Sequence, residues 1–240
     1  MHNVDFVWKG VSASSLGLCV TELPPVQMPS TRDQPYIVPY RDGQLHIQDG
    51  THDEIVKRVG GYLPYEQGVP VEELRRIIRW LQGRGRVSFS DDPGREYDAY
   101  IVSGIDYNQW VQGFDDRVFE VYFACQPMAY FTGIADIVLT ASGTDVYNPG
   151  FKPARPLLRV TGEGDVTITI GDDDVTLLGM TGTVYIDCDD QEAYSLDEND
   201  ARVNQNGIMS GDFPVIEPGT TQITWSGSVT RIVMTPRWRD

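Results

Sequence analysis

The stretch of residues 211–239 constrains the fold most strongly, because its β-type segments need another layer of structure to pack on. Residues 222–225 and 229–234 are rich in β-branched side chains, and a Ser-Gly-Ser run at 226–228 separates them. This composition and spacing predict a two-stranded hairpin. Pro236 ends the second strand, since proline offers no N–H to a sheet ladder. The segment therefore predicts the closing hairpin of a β-sandwich.

The remainder of the second half repeats short strand patterns separated by turn residues. Runs rich in glycine and acidic residues at 162–165 and 171–173 read as tight connections. Regular short strands with such turns predict a sandwich or a jelly roll. We divide the chain into an N-terminal domain, residues 1–132, and a C-terminal domain, residues 133–240. The earlier strands predicted in the second domain are 137–139, 157–160, 166–170, 175–178 and 184–186.

One segment of the first half has helical periodicity, which predicts an α-helix over residues 71–81 that ends before Gly83. Arg75, Arg76 and Arg79 lie on or beside its polar face. We expect these arginines to form a solvent-exposed face of the helix. The alternative is a docking surface for an acidic partner. The apolar face consists of residues at three- and four-residue spacing, namely Val71, Leu74, Ile77, Ile78 and Leu81.

Prolines interrupt regular structure near the start of the chain, so residues 22–36 are predicted to form an extended arm or loop. Loops of such length in a compact domain usually have a function or pack on a neighbour. Asp42-Gly43 and Asp49-Gly50 are both hairpin turn signals. The strands predicted in this half are 6–8, 55–59, 86–90, 97–105 and 118–123.

The charge of the chain excludes several classes of function. A formal net charge of −16 disfavours nucleic-acid binding through a basic surface. There is no apolar run long enough for a membrane span, and no signal peptide is expected. The three cysteines, Cys19, Cys125 and Cys188, lie far apart and form no metal pair. We expect buried free thiols, as in a protein made in the cytoplasm.

Two clusters could hold a metal ion. His46, Asp49, His52 and Asp53 offer imidazole and carboxylate ligands for Zn²⁺ or Fe²⁺, although Asp49-Gly50 is also a turn signal. A second cluster matches a calcium loop only superficially, because it lacks the glycine that the sharp turn of an EF-hand requires. A Ca²⁺ site of another kind, with Asp187, Asp189 or Asp190 as ligands, is a weak alternative at this second cluster.

A pair of carboxylates could perform general acid and base chemistry, as in glycan hydrolysis. The candidates are Asp91, Asp92, Glu96 and Asp98, which flank a Pro-Gly turn where carboxylates are usually solvated turn formers. Nucleophile elbows, phosphate-binding loops, zinc-protease motifs and dinucleotide fingerprints are not found in the sequence. We therefore predict no enzyme activity, no catalytic residues, no cofactor and no metal.

Aromatic residues of the second half could stack on sugar rings if they lie exposed on a sandwich face. Aromatic residues in strands belong more often to the core. We predict that Trp225 lies in the core. The candidates for stacking are Tyr147, Tyr185, Tyr194, Trp225 and Trp238.

Several stretches, in order along the whole chain, resemble the siphovirus tail component family, the distal tail proteins of long-tailed bacteriophages and prophages. The ordered set is more specific than any single piece. The resembling stretches are Phe6-x-Trp8-x-Gly10-x-Ser12, residues 38–43, 74–81 and 87–93, Tyr97-x-Ala99-Tyr100, Phe119-x-Val121-x-Phe123-x-Cys125-x-Pro127, Asn148-Pro149-Gly150-x-x-x-Ala154-x-Pro156, Ile186-Asp187, Ala193-Tyr194, residues 211–219 and residues 236–239.

The resemblance implies a mainly β protein with two parts: an N-terminal split β-barrel that carries one α-helix and an extended arm, and a C-terminal galectin-like β-sandwich. It implies a structural virion protein without enzyme activity, located at the tail tip. There it forms a homohexameric ring that joins the tail tube protein to the tail-tip hub or tail-associated lysin of the baseplate. Receptor-binding proteins for host attachment are further expected partners, whereas specific nucleic-acid binding and membrane contact are not expected.

A ring that passes DNA should not hold it, so an acidic lumen is expected. We hypothesise that acidic loops of the first domain, such as residues 91–92 or 115–116, face the channel. The alternative function is a carbohydrate-binding module for host cell-wall recognition, and a third is a glycan hydrolase.

Overall fold

A computed structural model describes residues 4–64, 71–102 and 117–240 of the chain. Contacts divide the chain into two compact units, Met1–Ala129 and Tyr130–Asp240. The described residues are mainly β with one α-helix, as the sequence predicts. No helix in the described ranges is long and apolar enough to cross a membrane.

The first unit is built on one antiparallel sheet, with strands in the order β2-β1-β7-β8-β9-β6-β3. A two-stranded ribbon, β4 and β5, stands apart from that sheet, and one helix, α1, precedes β7. The elements are β1 (Phe6–Trp8), β2 (Val11–Ser12), a 3₁₀ turn (Ser14–Leu16), β3 (Cys19–Glu22), β4 (Thr31–Tyr36), β5 (Leu45–His52), β6 (Ile55–Leu63), α1 (Val71–Trp80), β7 (Arg84–Phe89), β8 (Arg95–Ile101) and β9 (Arg117–Cys125).

Aromatic side chains form the centre of the first core. The ring centroids of Phe6 and Trp8 lie 5.5 and 5.3 Å from that of Phe123. Full burial of one such side chain contributes about 1.5–3 kcal/mol. Helix α1 is fixed to β1 by reciprocal hydrogen bonds. The Trp8 indole N–H donates to the Trp80 carbonyl at 3.0 Å, and the Trp80 indole N–H donates to the Trp8 carbonyl at 3.2 Å.

The helix confirms the periodicity argument for Leu74, Ile77 and the following Leu81, which are buried. Val71, at the first position of the predicted apolar face, is 59% exposed instead. The N–H of Leu81 still donates to the carbonyl of Ile77 at 2.9 Å, so helical bonding continues one residue beyond Trp80.

The predicted arm is half of a hairpin. Strand β4 pairs with β5 in an antiparallel ribbon. The Asp42-Gly43 turn lies in the loop that joins the two strands, as predicted. The predicted turn at Asp49-Gly50 is wrong, because both residues lie inside β5. The register shifts there, and Gly50 has φ +78°, so this glycine serves a bulge rather than a turn.

The second unit is a second antiparallel sheet, in the order β11-β18-β13-β14-β15-β16. Strand β12 pairs with β18, and β17 pairs with β14. The elements are β10 (Tyr130–Phe131), β11 (Ile137–Leu139), β12 (Thr144–Asn148), β13 (Leu157–Ile170), β14 (Asp173–Asp187), β15 (Glu192–Leu196), β16 (Arg202–Asn204), a 3₁₀ turn (Asn206–Ile208), β17 (Met209–Gly211) and β18 (Gly219–Thr235).

The predicted closing hairpin is one continuous strand of 17 residues, β18. The predicted connection at 162–165 likewise lies inside β13, and the predicted strands 175–178 and 184–186 are both parts of β14. The register between β13 and β18 shifts within residues 161–167 of β13. Residues on both sides of the shift, such as Val160 and Val166, belong to one buried cluster. The glycines therefore mark bulges within long strands that enclose one core.

Candidate functional site: the hairpin arm

The ribbon of β4 and β5 has one apolar face. Tyr36 pairs with Leu45, and Ile47 lies two residues farther along β5, so the three side chains share a face. They are 61%, 41% and 55% exposed, respectively. An isolated two-stranded hairpin is at best marginally stable in water. We therefore expect the apolar face formed by Tyr36, Leu45 and Ile47 to be covered by another protein surface, which would stabilise the ribbon.

Apolar exposure continues on both sides of the ribbon. Ile37 and Tyr40 in the connecting loop are exposed, as are Val26 and Met28 in the segment that precedes β4. Soluble monomers seldom expose contiguous apolar patches of this kind, which mark protein interaction sites. We call residues 23–54 the arm, and residues 23–30 its root.

Polar contacts join β4 to β5 and to the residue that follows β5. His46 Nδ1 contacts the Asp33 carboxylate, and the Arg32 guanidinium lies 3.2 Å from the Asp53 carboxylate. The Asp49 side chain lies outside the described residues. Within the described part of the chain no group of His, Cys, Asp or Glu is arranged to hold a metal ion. The metal hypothesis for the cluster around His46 is therefore not supported.

A buried lysine lies next to the root. Lys57 on β6 is 2% exposed, and its Nζ lies 4.6 Å from the Tyr97 ring centroid. The ammonium donates a long hydrogen bond of 3.5 Å to the carbonyl oxygen of Pro25. Burial lowers the pKa of Lys57, and the nearby Asp92 carboxylate opposes that shift. The signal was present in the sequence, since strand alternation places Lys57 on the same face as the buried Ile55 and Val59, yet our sequence analysis missed it.

The candidate catalytic carboxylates are engaged in structural contacts. Arg86 contacts the Glu96 carboxylate and lies 3.1 Å from that of Asp98. The Tyr97 hydroxyl donates to Asp92 at 2.9 Å, and burial together with this bond raises the pKa of Tyr97. These contacts make the carboxylates parts of surface networks rather than a poised acid and base pair.

A cavity of about 450 Å³ opens beside these residues. The Arg84 guanidinium stacks 5.5 Å from the Tyr100 ring centroid, and the Tyr100 hydroxyl donates to Glu54 at 3.0 Å. The described residues that line the cavity include one carboxylate, Asp98, and not the two that glycan hydrolysis requires. The lining consists of Arg84, Gly85, Arg86, Asp98, Ala99, Tyr100 and Gln126.

The proposed calcium ligand Asp187 is a buried structural anchor. Its two carboxylate oxygens accept hydrogen bonds from Arg237 at 2.6 and 2.9 Å. The backbone N–H groups of Asp189 and Asp190 also donate to it, at 3.1 and 3.2 Å. Burial alone would raise the pKa of Asp187, but these hydrogen bonds outweigh it and hold the pKa below its usual value. Because its oxygens are occupied in this way, the calcium hypothesis is not supported.

The aromatic candidates for sugar stacking do not share one exposed face. Trp238 is buried, and Tyr194 is stacked on Tyr185 with ring centroids 5.0 Å apart. Trp225 packs against the second core while remaining partly exposed, so it is less buried than predicted. Tyr147 is 66% exposed.

Phe151, which no pattern in the sequence singled out, is 82% exposed. It follows Gly150, whose backbone N–H donates to the buried Asn148 side chain at 2.9 Å.

The arginines of α1 behave as a solvated face. Arg75 and Arg76 pair with Glu72 and Glu73, at 2.7 and 2.9 Å. Such exposed pairs contribute little to stability.

The cysteines are free, as predicted. Burial raises the pKa of both Cys125 and Cys188 to about 12, which keeps these thiols protonated and unreactive. Cys19 is only partly buried.

Comparison with known proteins identifies the fold. No known family model matches the chain, and no curated protein matches it. Seven chains among solved structures do match. One is the Dit protein of phage SPP1, described as a paradigm of the hub adsorption apparatus in phages that infect Gram-positive bacteria. The TM-score is 0.71 at 15% sequence identity, over 97% of this chain and 98% of that chain. At this identity the likeness shows a shared fold.

Proposed function

We propose that this chain is a distal tail protein, a structural component of a bacteriophage tail tip. The observation that carries the proposal is the fold shared with SPP1 Dit over nearly the whole of both chains. The ordered sequence resemblance to the siphovirus tail component family points to the same function, although no family model matches the chain. The family's split barrel and galectin-like sandwich would correspond to residues 1–132 and 133–240.

The proposed assembly is a homohexameric ring. The arm supports it, because an exposed apolar face on a ribbon of marginal intrinsic stability needs a protein surface to cover it. A second copy of the chain is the occupant that a closed ring supplies. In the ring, the arm of each subunit reaches its neighbour.

The ring would join the tail tube protein to the tail-tip hub or tail-associated lysin, and receptor-binding proteins could attach to it. The protein would then act in the virion rather than as an enzyme. An acidic lumen would let DNA pass without binding. Asp91 is an exposed candidate for that surface, whereas residues 115–116 of the same hypothesis lie outside the described residues.

The test is the native mass of the purified protein, alone and mixed with the tail tube protein. We expect rings of six subunits, and Ile47→Asp should abolish them by placing a charge on the apolar face. Leu178→Asp is the matched control, because Leu178 is 51% exposed, similar to Ile47, and lies in the second unit. A wild-type protein that stays monomeric in both conditions would contradict the ring.

Host glycan recognition is the second candidate function. It is favoured by two exposed aromatic side chains, Tyr147 and Phe151, in the second unit. Titration calorimetry with host cell-wall glycans would show binding that Tyr147→Ala and Phe151→Ala both weaken. Binding that neither substitution weakens would contradict this assignment of the site.

A further inference from the structure

The position of Lys57 in the first core is unusual for a charged side chain. Strand β6 points Ile55, Lys57 and Val59 to the same buried side. The Lys57 ammonium lies over two aromatic rings, with Nζ 4.6 Å from the Tyr97 centroid and 5.6 Å from that of Phe89. An ammonium removed from water to this extent needs compensating partners, because burial of an isolated charge is costly.

The hydrogen-bond acceptor that the structure provides for this ammonium, among the described residues, is the Pro25 carbonyl at 3.5 Å. Proline has no backbone N–H, so its carbonyl is the one backbone group through which the root can be hydrogen-bonded at this residue. Pro24 beside it is buried, and Leu23 packs against the first core. Lys57 therefore contacts the arm at the point where the chain leaves the sheet.

We propose that Lys57 is a positioning residue that fixes the root of the arm to the first core. If the root moves away, the ammonium loses this acceptor and keeps only its contacts with the two rings and the attraction of nearby carboxylates such as Asp92. An unsatisfied buried charge is strongly unfavourable, so the docked root is the favoured state. The packing of Leu23 and Pro24 holds the chain before Pro25, and the Lys57 hydrogen bond extends that restraint to the exposed Pro25.

A fixed root preorganises the arm. A ribbon held at one angle loses less conformational entropy when it binds a partner than a ribbon free to swing. Lys57 would therefore strengthen assembly without touching the apolar face formed by Tyr36, Leu45 and Ile47. This consequence rests on the proposed ring, whereas the fixing of the root does not.

The first test is hydrogen exchange of Lys57→Met, which replaces the ammonium by an apolar side chain of similar length. The amide that reports on the root is that of Asp53, which donates to the Ser30 carbonyl at 2.9 Å. We expect this amide to exchange at least tenfold faster, with strand Arg117–Cys125 changed less than twofold. Lys9→Met is the control, because the Lys9 ammonium contacts the Gln82 carbonyl instead of the arm. Unchanged exchange of the Asp53 amide, or equal acceleration throughout the first unit, would overturn the proposal.

A second measurement on the wild-type protein covers the case in which Lys57→Met does not fold. The side-chain ammonium protons of Lys57 should exchange with water at least tenfold more slowly than those of Lys9 in NMR spectra. Equal rates would overturn the proposal. If the wild-type protein forms rings, Lys57→Met should also raise the concentration needed for half-assembly severalfold. A wild-type monomer would contradict the ring, while the exchange results would still decide the role of Lys57.

Discussion

At the scale of single residues, the ion pair of Asp187 and Arg237 shows how a buried carboxylate can serve structure alone. Arg237 binds both oxygens of Asp187, and two backbone N–H groups complete its surroundings. Removal of one partner from such a pair leaves the other charge uncompensated, which is more costly than loss of the attraction itself.

We therefore expect Asp187→Asn to lower the free energy of unfolding by about 3 kcal/mol, the lower end of the range for a broken buried pair. The lower end applies because 22% of the Arg237 side chain remains exposed to water. Urea denaturation measures the change. Asp190→Asn is the control, since 63% of the Asp190 side chain is exposed, and a loss equal to that of the control would contradict the prediction.

The same carboxylate predicts a dependence of stability on acid. The pKa of Asp187 in the folded protein lies below its ordinary value of 3.8. The stabilising contribution is therefore fully present above pH about 3.8 and is lost as the pH falls through the folded-state pKa. We expect the stability difference between wild type and Asp187→Asn to shrink below pH 3.8 in thermal unfolding. A difference that stays constant down to pH 2 would be inconsistent with this account.

At the scale of elements, the long strands of the second unit depend on glycines at their bulges. A Cβ added to Gly227 would lie 2.2 Å from the Asp165 carbonyl oxygen of the neighbouring strand. Gly227 also has φ +92°, where side chains are strained. The backbone of β18 approaches that of β13 closely at this level because Gly227 has no side chain to hold the two strands apart.

We expect Gly227→Ala to destabilise the protein by at least about 2 kcal/mol, from backbone strain together with displacement of the adjacent strand. Gly207→Ala is the matched control, because a Cβ there meets nothing within 4 Å. Chemical denaturation of the two variants measures the difference. Equal stabilities would show that β13 and β18 can separate at the bulge without cost.

At the scale of the whole molecule, the net charge of −16 acts against self-association. Subunits that carry like charges repel one another. In 0.1 M salt this repulsion is largely screened between charges more than about 10 Å apart. We expect the proposed rings to form at lower protein concentration in 0.3 M than in 0.03 M NaCl. Sedimentation velocity measures the effect, and rings that dissociate on addition of salt would show that attractive ion pairs dominate the interface.

The candidate site could be predicted only in part. The prolines at 24, 25, 29 and 35 indicated an arm, because proline has no N–H to donate to a sheet ladder. Pro35 nevertheless lies within β4, opposite His46. The apolar face could not be assigned, since it depends on the register that joins Tyr36 to Leu45 across the ribbon. The role of Lys57 depends in the same way on Pro25, a residue 32 positions away along the chain.

The sequence by itself determined the features that rest on short-range periodicity and composition. These are the helix Val71–Trp80, the mainly β character and the acidic surface. Tertiary structure decided whether the Ser-Gly-Ser segment at 226–228 turns the chain or bends it, because glycine suits both a hairpin turn and a bulge. Pairing with β13 on both sides of Gly227 makes β18 one strand. Whether a hairpin or a bulge forms depends on contacts between residues far apart along the chain, and the local sequence does not specify these contacts.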